Sequence, residues 1–270
     1  MHDNLLAGVA AAYIAATLLL LISVFRSKQD FRNLAILVTV AGVVLHSTVQ
    51  YRLWFAPGSV EINSLDVLSL CALAVIAILV ISPMLKKPLF DAGLVALPIA
   101  AMVVLLEWIA DLPGTQLAPR SVETSIHIVS SITAFGVLAV AAVYAFFVAL
   151  IDHFLRRHQL NSLIRTLPAL DTLEGLLFQL ITAGFILLTV SLGTGLLFVN
   201  DLFAQHLAHK TILSIVAWLV FGTLLWGRHF RGWRGRVAVR MTLAGVLLLL
   251  LSYFGSKLVL EVFLDRSWQI

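Results

Sequence analysis

Residues Thr194–Gly235 read TGLLFVNDLFAQHLAHKTILSIVAWLVFGTLLWGRHFRGWRG and decide the fold. Two apolar segments are joined by a short polar stretch that carries His206, His209 and Lys210, and the second apolar segment ends in a dense arginine cluster. Clusters of Lys and Arg mark the cytoplasmic ends of membrane helices. We therefore expect the His206–Lys210 stretch to be a loop on the outer side of a bilayer.

The composition of the whole chain agrees with a membrane protein. The 270 residues are 61% hydrophobic and 12% charged, with a mean hydropathy of +1.03, which is too little polar surface for a soluble globule. Apolar runs of about 20 residues, the length that crosses a hydrocarbon core, recur eight times. The sequence predicts an all-α, polytopic membrane protein with about eight transmembrane helices in a single transmembrane domain, residues 1–270.

The predicted helices are separated by polar, Pro-containing or basic stretches. The first apolar run lacks a basic leader and a convincing cleavage site, so we interpret it as a retained helix. The stretch His153–Glu174 alternates basic and apolar residues, which predicts a helix lying in the membrane interface between helices five and six. Helix five is expected to be capped by Ser121 or Thr124 and to run to about Asp152. The other spanning helices are expected at roughly Leu5–Phe25, Leu34–Phe55, Leu65–Met84, Leu89–Ile109, Leu176–Val199, Thr211–Gly227 and Val237–Leu264.

The basic residues indicate the orientation of these helices. Thirteen of the 18 Lys and Arg residues lie in the four loops that follow helices one, three, five and seven. The positive-inside rule then puts both termini outside, in the multi-pass topology of a bacterial inner (cytoplasmic) membrane protein. The net charge of +4 is explained by this topology, and no basic face interleaved with aromatic residues indicates nucleic acid. The one cysteine, Cys71, excludes a disulfide within the chain.

Ionisable residues inside the predicted spans lie almost entirely in their outer halves. Such residues are costly in hydrocarbon and need a partner or a function, so this asymmetry favours a site at the outer face over an ion channel or a proton relay. Imidazoles suit haem iron or a divalent metal. The candidate ligands are His127, His46, His206 and His209, although His127 and His46 are also compatible with hydrogen bonds between helices, and loop histidines with simple solvation.

Several segments resemble the cytochrome c assembly proteins, the CcsA, ResC and CcmC type of haem-handling membrane protein. The similarity covers about residues 34–264 and, within the family, is greatest to the short YpjD-like inner membrane branch. It rests on His127 in IHIVSSITAFGVLAVAAVYAFF, on SLGTGLLFVND at Ser191–Asp201, on Lys210, on AWLVFGTLLWGRH and GWRGRVAV, and on Ser252-Tyr253-Phe254-Gly255.

The chain departs from the family pattern at the haem platform. Members that carry haem to the outer face have a W-G-x-x-W-x-W-D motif between the helices that correspond to six and seven, where this chain has LFAQHLAH. Two further family histidines correspond here to Trp226, unless His229 is shifted by about one turn, and to about Leu264. The resemblance therefore implies His127 as the one retained haem ligand, and we expect His209 to be its partner.

These observations predict a haem-handling or cytochrome-assembly-like protein with a diverged outward haem or metal pocket. The expected cofactor is haem b, with Lys210, Lys257 or Arg52 near its propionates, and His127 with His209 as the metal ligands. The alternative is a membrane partner or regulator of a divalent-cation transport system, with a structural or cation-binding polar cluster that includes Asp66 and Glu107. No enzyme motif is visible, so we expect no catalysis. The sequence predicts the lipid bilayer as a partner and is compatible with a membrane-protein partner as well.

Overall fold

A computed structural model describes residues 2–26, 28–55, 61–83, 89–110, 112, 115–116, 122–157, 169–198 and 205–255. Within these ranges the chain forms eight helices that are long and apolar enough to cross a membrane, which confirms the all-α, polytopic prediction. The helices are α1 His2–Arg26, α2 Gln29–Phe55, α3 Ser64–Ile81, α4 Gly93–Ile109, α5 Val122–Arg156, α6 Leu170–Phe198, α7 Gln205–Arg231 and α8 Arg236–Leu250. Which helix ends face the cytoplasm stays a prediction.

Short elements complete the described backbone. A 3-10 turn, Phe90–Ala92, leads into α4, and a π-helical segment, Leu251–Gly255, continues α8. Two strands of two residues each pair antiparallel, with Glu61 opposite Gln116 and Ile62 opposite Thr115. This ladder links the polar stretches that follow α2 and α4.

The expected outer loop at His206–Lys210 is wrong, because α7 already begins at Gln205. The residues Gln, Leu, Ala and Lys in this stretch are good helix formers. A helix can also extend beyond the hydrocarbon core, since the interface hydrates its polar side chains. The apolar pattern located the membrane-crossing part of α7, which begins at Lys210, but not the start of the helix.

The predicted interfacial helix, His153–Glu174, overlaps two spanning helices at its ends. Helix α5 continues to Arg156, and α6 begins at Leu170. Arg156 is held on α5 by Asp152, one turn earlier, whose carboxylate accepts its Nε–H at 2.9 Å. The centre of the predicted interfacial helix, residues 158–168, lies outside the described residues.

The chain divides into two compact units. The first unit contains α1–α4 and the second contains α5–α8. The single transmembrane domain expected for residues 1–270 stays a prediction.

In the first unit, α1 packs against α2 and α4, and α3 packs against α4. Gly42 allows the close contact between α1 and α2, because a Cβ atom there would lie 2.8 Å from Cε1 of Tyr13. Asn63 caps α3: its Oδ1 accepts the backbone N–H of Asp66 at 3.1 Å, and Oδ2 of Asp66 accepts the N–H of Asn63 at 2.8 Å. This reciprocal pair explains the acidic residue at the start of α3.

In the second unit, α5 packs along α6, α7 packs against α6 and α8, and α8 also contacts α5. Two glycines allow the closest crossings. A Cβ atom on Gly184 of α6 would lie 2.5 Å from side-chain carbons of Leu138, and one on Gly245 of α8 would lie 2.5 Å from Cζ of Phe221. Consecutive helices run in opposite directions, so the start of α5, the end of α6, the start of α7 and the end of α8 share one end of the unit.

Candidate functional site

His127, in the second turn of α5, is held against the end of α6 by a hydrogen bond to the backbone. Its Nδ1 lies 2.9 Å from the carbonyl oxygen of Ser191. A carbonyl oxygen only accepts hydrogen bonds, so Nδ1 carries a proton, and in the neutral ring the lone pair is then on Nε2. No described residue makes a hydrogen bond to Nε2 of this half-buried ring. The structure therefore fixes the tautomer and leaves Nε2 as the potential ligand atom.

Three hydroxyl groups tie the same carbonyl and the backbone of His127 together. Oγ of Ser131 donates to the carbonyl oxygen of His127 at 2.6 Å, so the 2.6 Å contact between the hydroxyls of Ser131 and Ser191 has Ser191 as its donor. Oγ1 of Thr194 lies 2.9 Å from the carbonyl oxygens of both Ser191 and Val190 and shares its one proton between them. Ser191 is thus hydrogen-bonded to side chains from both helices, at its hydroxyl by Ser131 and at its carbonyl by Thr194.

Gly195 provides the space for the imidazole on α6. A Cβ atom at this position would lie 3.0 Å from Cε1 and 3.3 Å from Nδ1 of His127, closer than an ordinary contact. A side chain at this position would require the ring to shift by a few tenths of an ångström. The SLGTG stretch of the sequence therefore has a direct role in positioning His127.

Lys210 lies at the same end of the second unit. Its carbonyl oxygen accepts a hydrogen bond from Oγ of Ser252 at 2.8 Å, and the hydroxyls of Ser214 and Ser252 are also 2.8 Å apart. Its Nζ lies 5.5 Å from the centre of the Tyr253 ring. Ser252 and Tyr253 belong to the π-helical segment, and π-helical turns often occur at functional sites.

His46 has a different environment, in the first unit. It is fully buried, with Nδ1 3.1 Å from Oη of Tyr13 and Nε2 2.8 Å from Oγ of Ser69. Both ring nitrogens are therefore occupied within the protein, which is the arrangement of a packing histidine linking α1, α2 and α3.

The other predicted site residues have no described contact with His127. Arg52 is exposed on α2 of the first unit. His206 and His209 lie in the first turns of α7, but only their backbone is described, and Lys257 lies outside the described residues. The structure thus brings His127 and Lys210 to one end of the second unit, and the pairing of His127 with His209 stays a prediction.

The polar cluster proposed for a divalent cation gains no support from the described residues. No group of three or more His, Cys, Asp or Glu side chains in these ranges could hold a metal ion. Asp66 is used in the cap of α3, and both nitrogens of His46 are bonded. The carboxylate of Glu107 is buried near Ser69 and Asp66.

Four residues around His127 were not among the predicted site residues. They are Ser131, Ser191, Thr194 and Gly195. One of them carried a usable signal, because Ser131 is four residues after His127 and therefore on the same helix face. The other three are small or polar residues in an otherwise apolar helix, but pairing them with His127 requires the register between α5 and α6.

The fold and this site define a multi-pass membrane protein that presents an anchored imidazole at one end of a four-helix unit. The model of the cytochrome c assembly protein family matches residues 4–264, and the chain belongs to this family. It is an inner membrane protein of the bacterial type, as predicted.

Relatives of known sequence agree with this assignment. The chain is 39% identical to the inner membrane protein YpjD of Escherichia coli strain K12 over 137 residues, 51% of this chain and 52% of the relative. It is 32% identical to the cytochrome c biogenesis protein CcsA of Prochlorococcus marinus strain NATL1A over 90 residues, 33% of this chain and 29% of that protein. The chain therefore matches about half the length of YpjD and less of CcsA. No solved structure matches it.

Proposed function

We propose that the protein handles haem at one end of its second unit, in a role like cytochrome assembly, with His127 as an axial ligand. The hydrogen bond of 2.9 Å between Nδ1 of His127 and the carbonyl oxygen of Ser191 carries this proposal. Histidine ligands of metals almost always donate their second ring N–H to a carboxylate, a carbonyl or water. The family relationship supports haem as the cofactor.

The residues around His127 fit a haem ligand. Bound haem would supply an iron centre, and a neutral imidazole nitrogen such as Nε2 of His127 would hold it. In the neutral ring, the Ser191 carbonyl selects the tautomer with its lone pair on Nε2, and the hydroxyls of Ser131 and Thr194 bond to the backbone carbonyls of His127 and Ser191. Lys210, at the same end, offers a cation for a propionate.

We further propose that the pocket has diverged from that of haem-exporting relatives. The tryptophan-rich motif is absent between α6 and α7, and Trp226 and Leu264 stand at positions where the family has histidines. His209, in the first turns of α7, is the proposed second ligand because α7 begins at the same end as His127. The protein would then bind and pass on haem b without catalysis, facing the outer side of the membrane.

The test is the absorption spectrum of the detergent-purified protein, expressed with haem supplied. We expect a Soret band, and sharp α and β bands on reduction. His127→Ala should lose the bound haem, and His209→Ala should weaken binding or give a five-coordinate spectrum. The control is His229→Ala, which removes an exposed histidine at the other end of α7.

A colourless wild-type protein, without stoichiometric iron after haem loading, would refute the proposal. Haem content that is unchanged in His127→Ala, with only a lower melting temperature, would show that His127 is a packing residue.

A further inference from the structure

The second unit has another polar site, at the end opposite His127. The last turns of α5 and the first turns of α8 enclose a cavity of about 250 Å³. This cavity is separated from His127 by about 25 residues of α5, or roughly 37 Å at 1.5 Å per residue. Its lining combines apolar residues, among them Val148 and Val239, with the charged residues Asp152, Arg236 and Arg240.

The charged residues of the cavity are organised by Asp152. Its carboxylate accepts the Nε–H of Arg156 at 2.9 Å and the Nε–H of Arg236 at 3.2 Å. Arg236 is bonded only through Nε, so its terminal nitrogens make no hydrogen bond to a described residue. Arg240, one turn later on the same face of α8, is exposed and has no ion pair or hydrogen bond within the described ranges.

These groups leave an excess of positive charge. The lining has two guanidinium groups, of Arg236 and Arg240, and one carboxylate, of Asp152, which is also paired with Arg156; His153 adds a further polar group to the lining. The start of α8 is fixed by Gly235, which has a φ of 57° and donates its N–H to Oε1 of Glu174 at 2.9 Å. The backbone that carries Arg236 and Arg240 therefore begins at a fixed position.

The cavity lies where the apolar spans end. The membrane-crossing part of α5 finishes at Arg156, and that of α8 begins at Arg236. This is the depth at which phospholipid headgroups meet the hydrocarbon core. A ligand here can place a charged group among arginines and an apolar group beside the valines.

We propose that this cavity binds the headgroup of an anionic phospholipid. The forked nitrogens of Arg236 and Arg240 suit the oxygens of a phosphodiester, and the apolar residues suit the glycerol and the first methylene groups of the acyl chains. Basic pockets between membrane helices bind anionic headgroups in this way. Inorganic phosphate shares the charge but lacks the apolar part, and it is the competing ligand. The inference does not depend on haem binding.

The experiment is native mass spectrometry of the full-length protein in neutral detergent, titrated with phosphatidylglycerol or phosphatidylcholine. We expect the wild-type protein to prefer phosphatidylglycerol. The double variant Arg236→Gln with Arg240→Gln should weaken its binding by about 10- to 30-fold, since each basic residue near an anionic surface contributes about 1 kcal/mol, or about fivefold. The matched control, Arg231→Gln with Arg234→Gln, removes the same charge at the same end but outside the cavity. It should weaken binding about threefold at most, because salt screens exposed charges.

Three outcomes would overturn the proposal. The first is an equal loss of affinity in the two double variants, which would indicate attraction by overall charge. The second is displacement of phosphatidylglycerol by inorganic phosphate at equal concentration, which would assign the cavity to free anions. The third is unchanged binding in the single variant Arg240→Gln. This substitution breaks no bond to a described residue, so it can be measured even if the double variant does not fold. We expect this variant to bind about three- to tenfold more weakly, and unchanged binding would contradict the proposal.

Discussion

Gly195 offers the most direct test of how His127 is positioned, because it lies beside the imidazole without being a ligand. In Gly195→Ala, the new Cβ atom would lie 3.0 Å from Cε1 of His127, where an ordinary contact begins near 3.4 Å. The ring must therefore shift by a few tenths of an ångström. The matched control is Gly193→Ala, because a Cβ atom at Gly193 of the same helix would meet no described atom within 4 Å.

The size of the effect follows from the hydrogen bond that the shift disturbs. The distance from Nδ1 to the Ser191 oxygen is 2.9 Å, and a shift of this size brings it to about 3.2 Å, the limit of a good N–H···O bond. Such a bond contributes about 1 kcal/mol. Both substitutions gain about 0.5–1 kcal/mol from replacing a helical glycine. The weakened bond and the crowding of the ring together should make Gly195→Ala about 1 kcal/mol less stable than Gly193→Ala.

Thermal unfolding in detergent and haem titration measure this difference. We expect the melting temperature of Gly195→Ala to lie about 2–4 °C below that of Gly193→Ala. Its haem affinity should be about fivefold weaker, since a loss of 1 kcal/mol of binding free energy from the displaced imidazole corresponds to that factor. If the two alanine variants agree in both melting temperature and haem affinity, the imidazole is not held against α6 as described.

Three further predictions concern the rest of the fold. Tyr13→Phe removes the partner of Nδ1 in the buried ring of His46. It should lower the free energy of unfolding by about 1–3 kcal/mol and leave the haem content unchanged. A melting temperature equal to that of the wild type would contradict the role of His46 in packing. Gly245→Ala brings a methyl group to 2.5 Å from the buried Phe221 ring and should lower stability by about 1–3 kcal/mol in thermal unfolding, whereas no loss would show that the crossing of α7 and α8 is looser. Reporter fusions test the topology, and an externally placed arginine cluster would reverse it. Fusions are expected to report the cytoplasm at Asn33, Lys86, Gln159 and Arg234, and the outside at Gly58, Gln116 and Ile270.

The sequence predicted the helices well because the membrane imposes a simple rule on them. Every span must cover the hydrocarbon core, so run length alone identified all eight within the described residues. The ends were harder to predict. Helix α7 begins six residues before the apolar run, and α2 begins before Arg32, because polar residues at a helix end cost little in the interface.

The site could be predicted only in part. His127 was identified because ionisable residues are rare inside spans and because the family pattern retains it. Its support depends on the register between α5 and α6, which brings Ser191 and Gly195 to the imidazole, and hydropathy carries no information on register. His46 satisfied the same rule of rarity, yet its two nitrogens are used by Tyr13 and Ser69. A buried histidine marks either a ligand or a hydrogen-bonded link, and only the contacts distinguish them.

The central claim is that Nε2 of His127 binds haem iron, and His127→Gly with added imidazole tests it most directly. The substitution removes the side chain and leaves a space beside Gly195, the residue that already makes room for the ring. We predict that the purified variant lacks the Soret band after haem loading, and that millimolar imidazole restores the band and the wild-type reduced spectrum. A variant that keeps the wild-type spectrum without imidazole would contradict the claim, as would one that imidazole cannot restore although the protein remains folded.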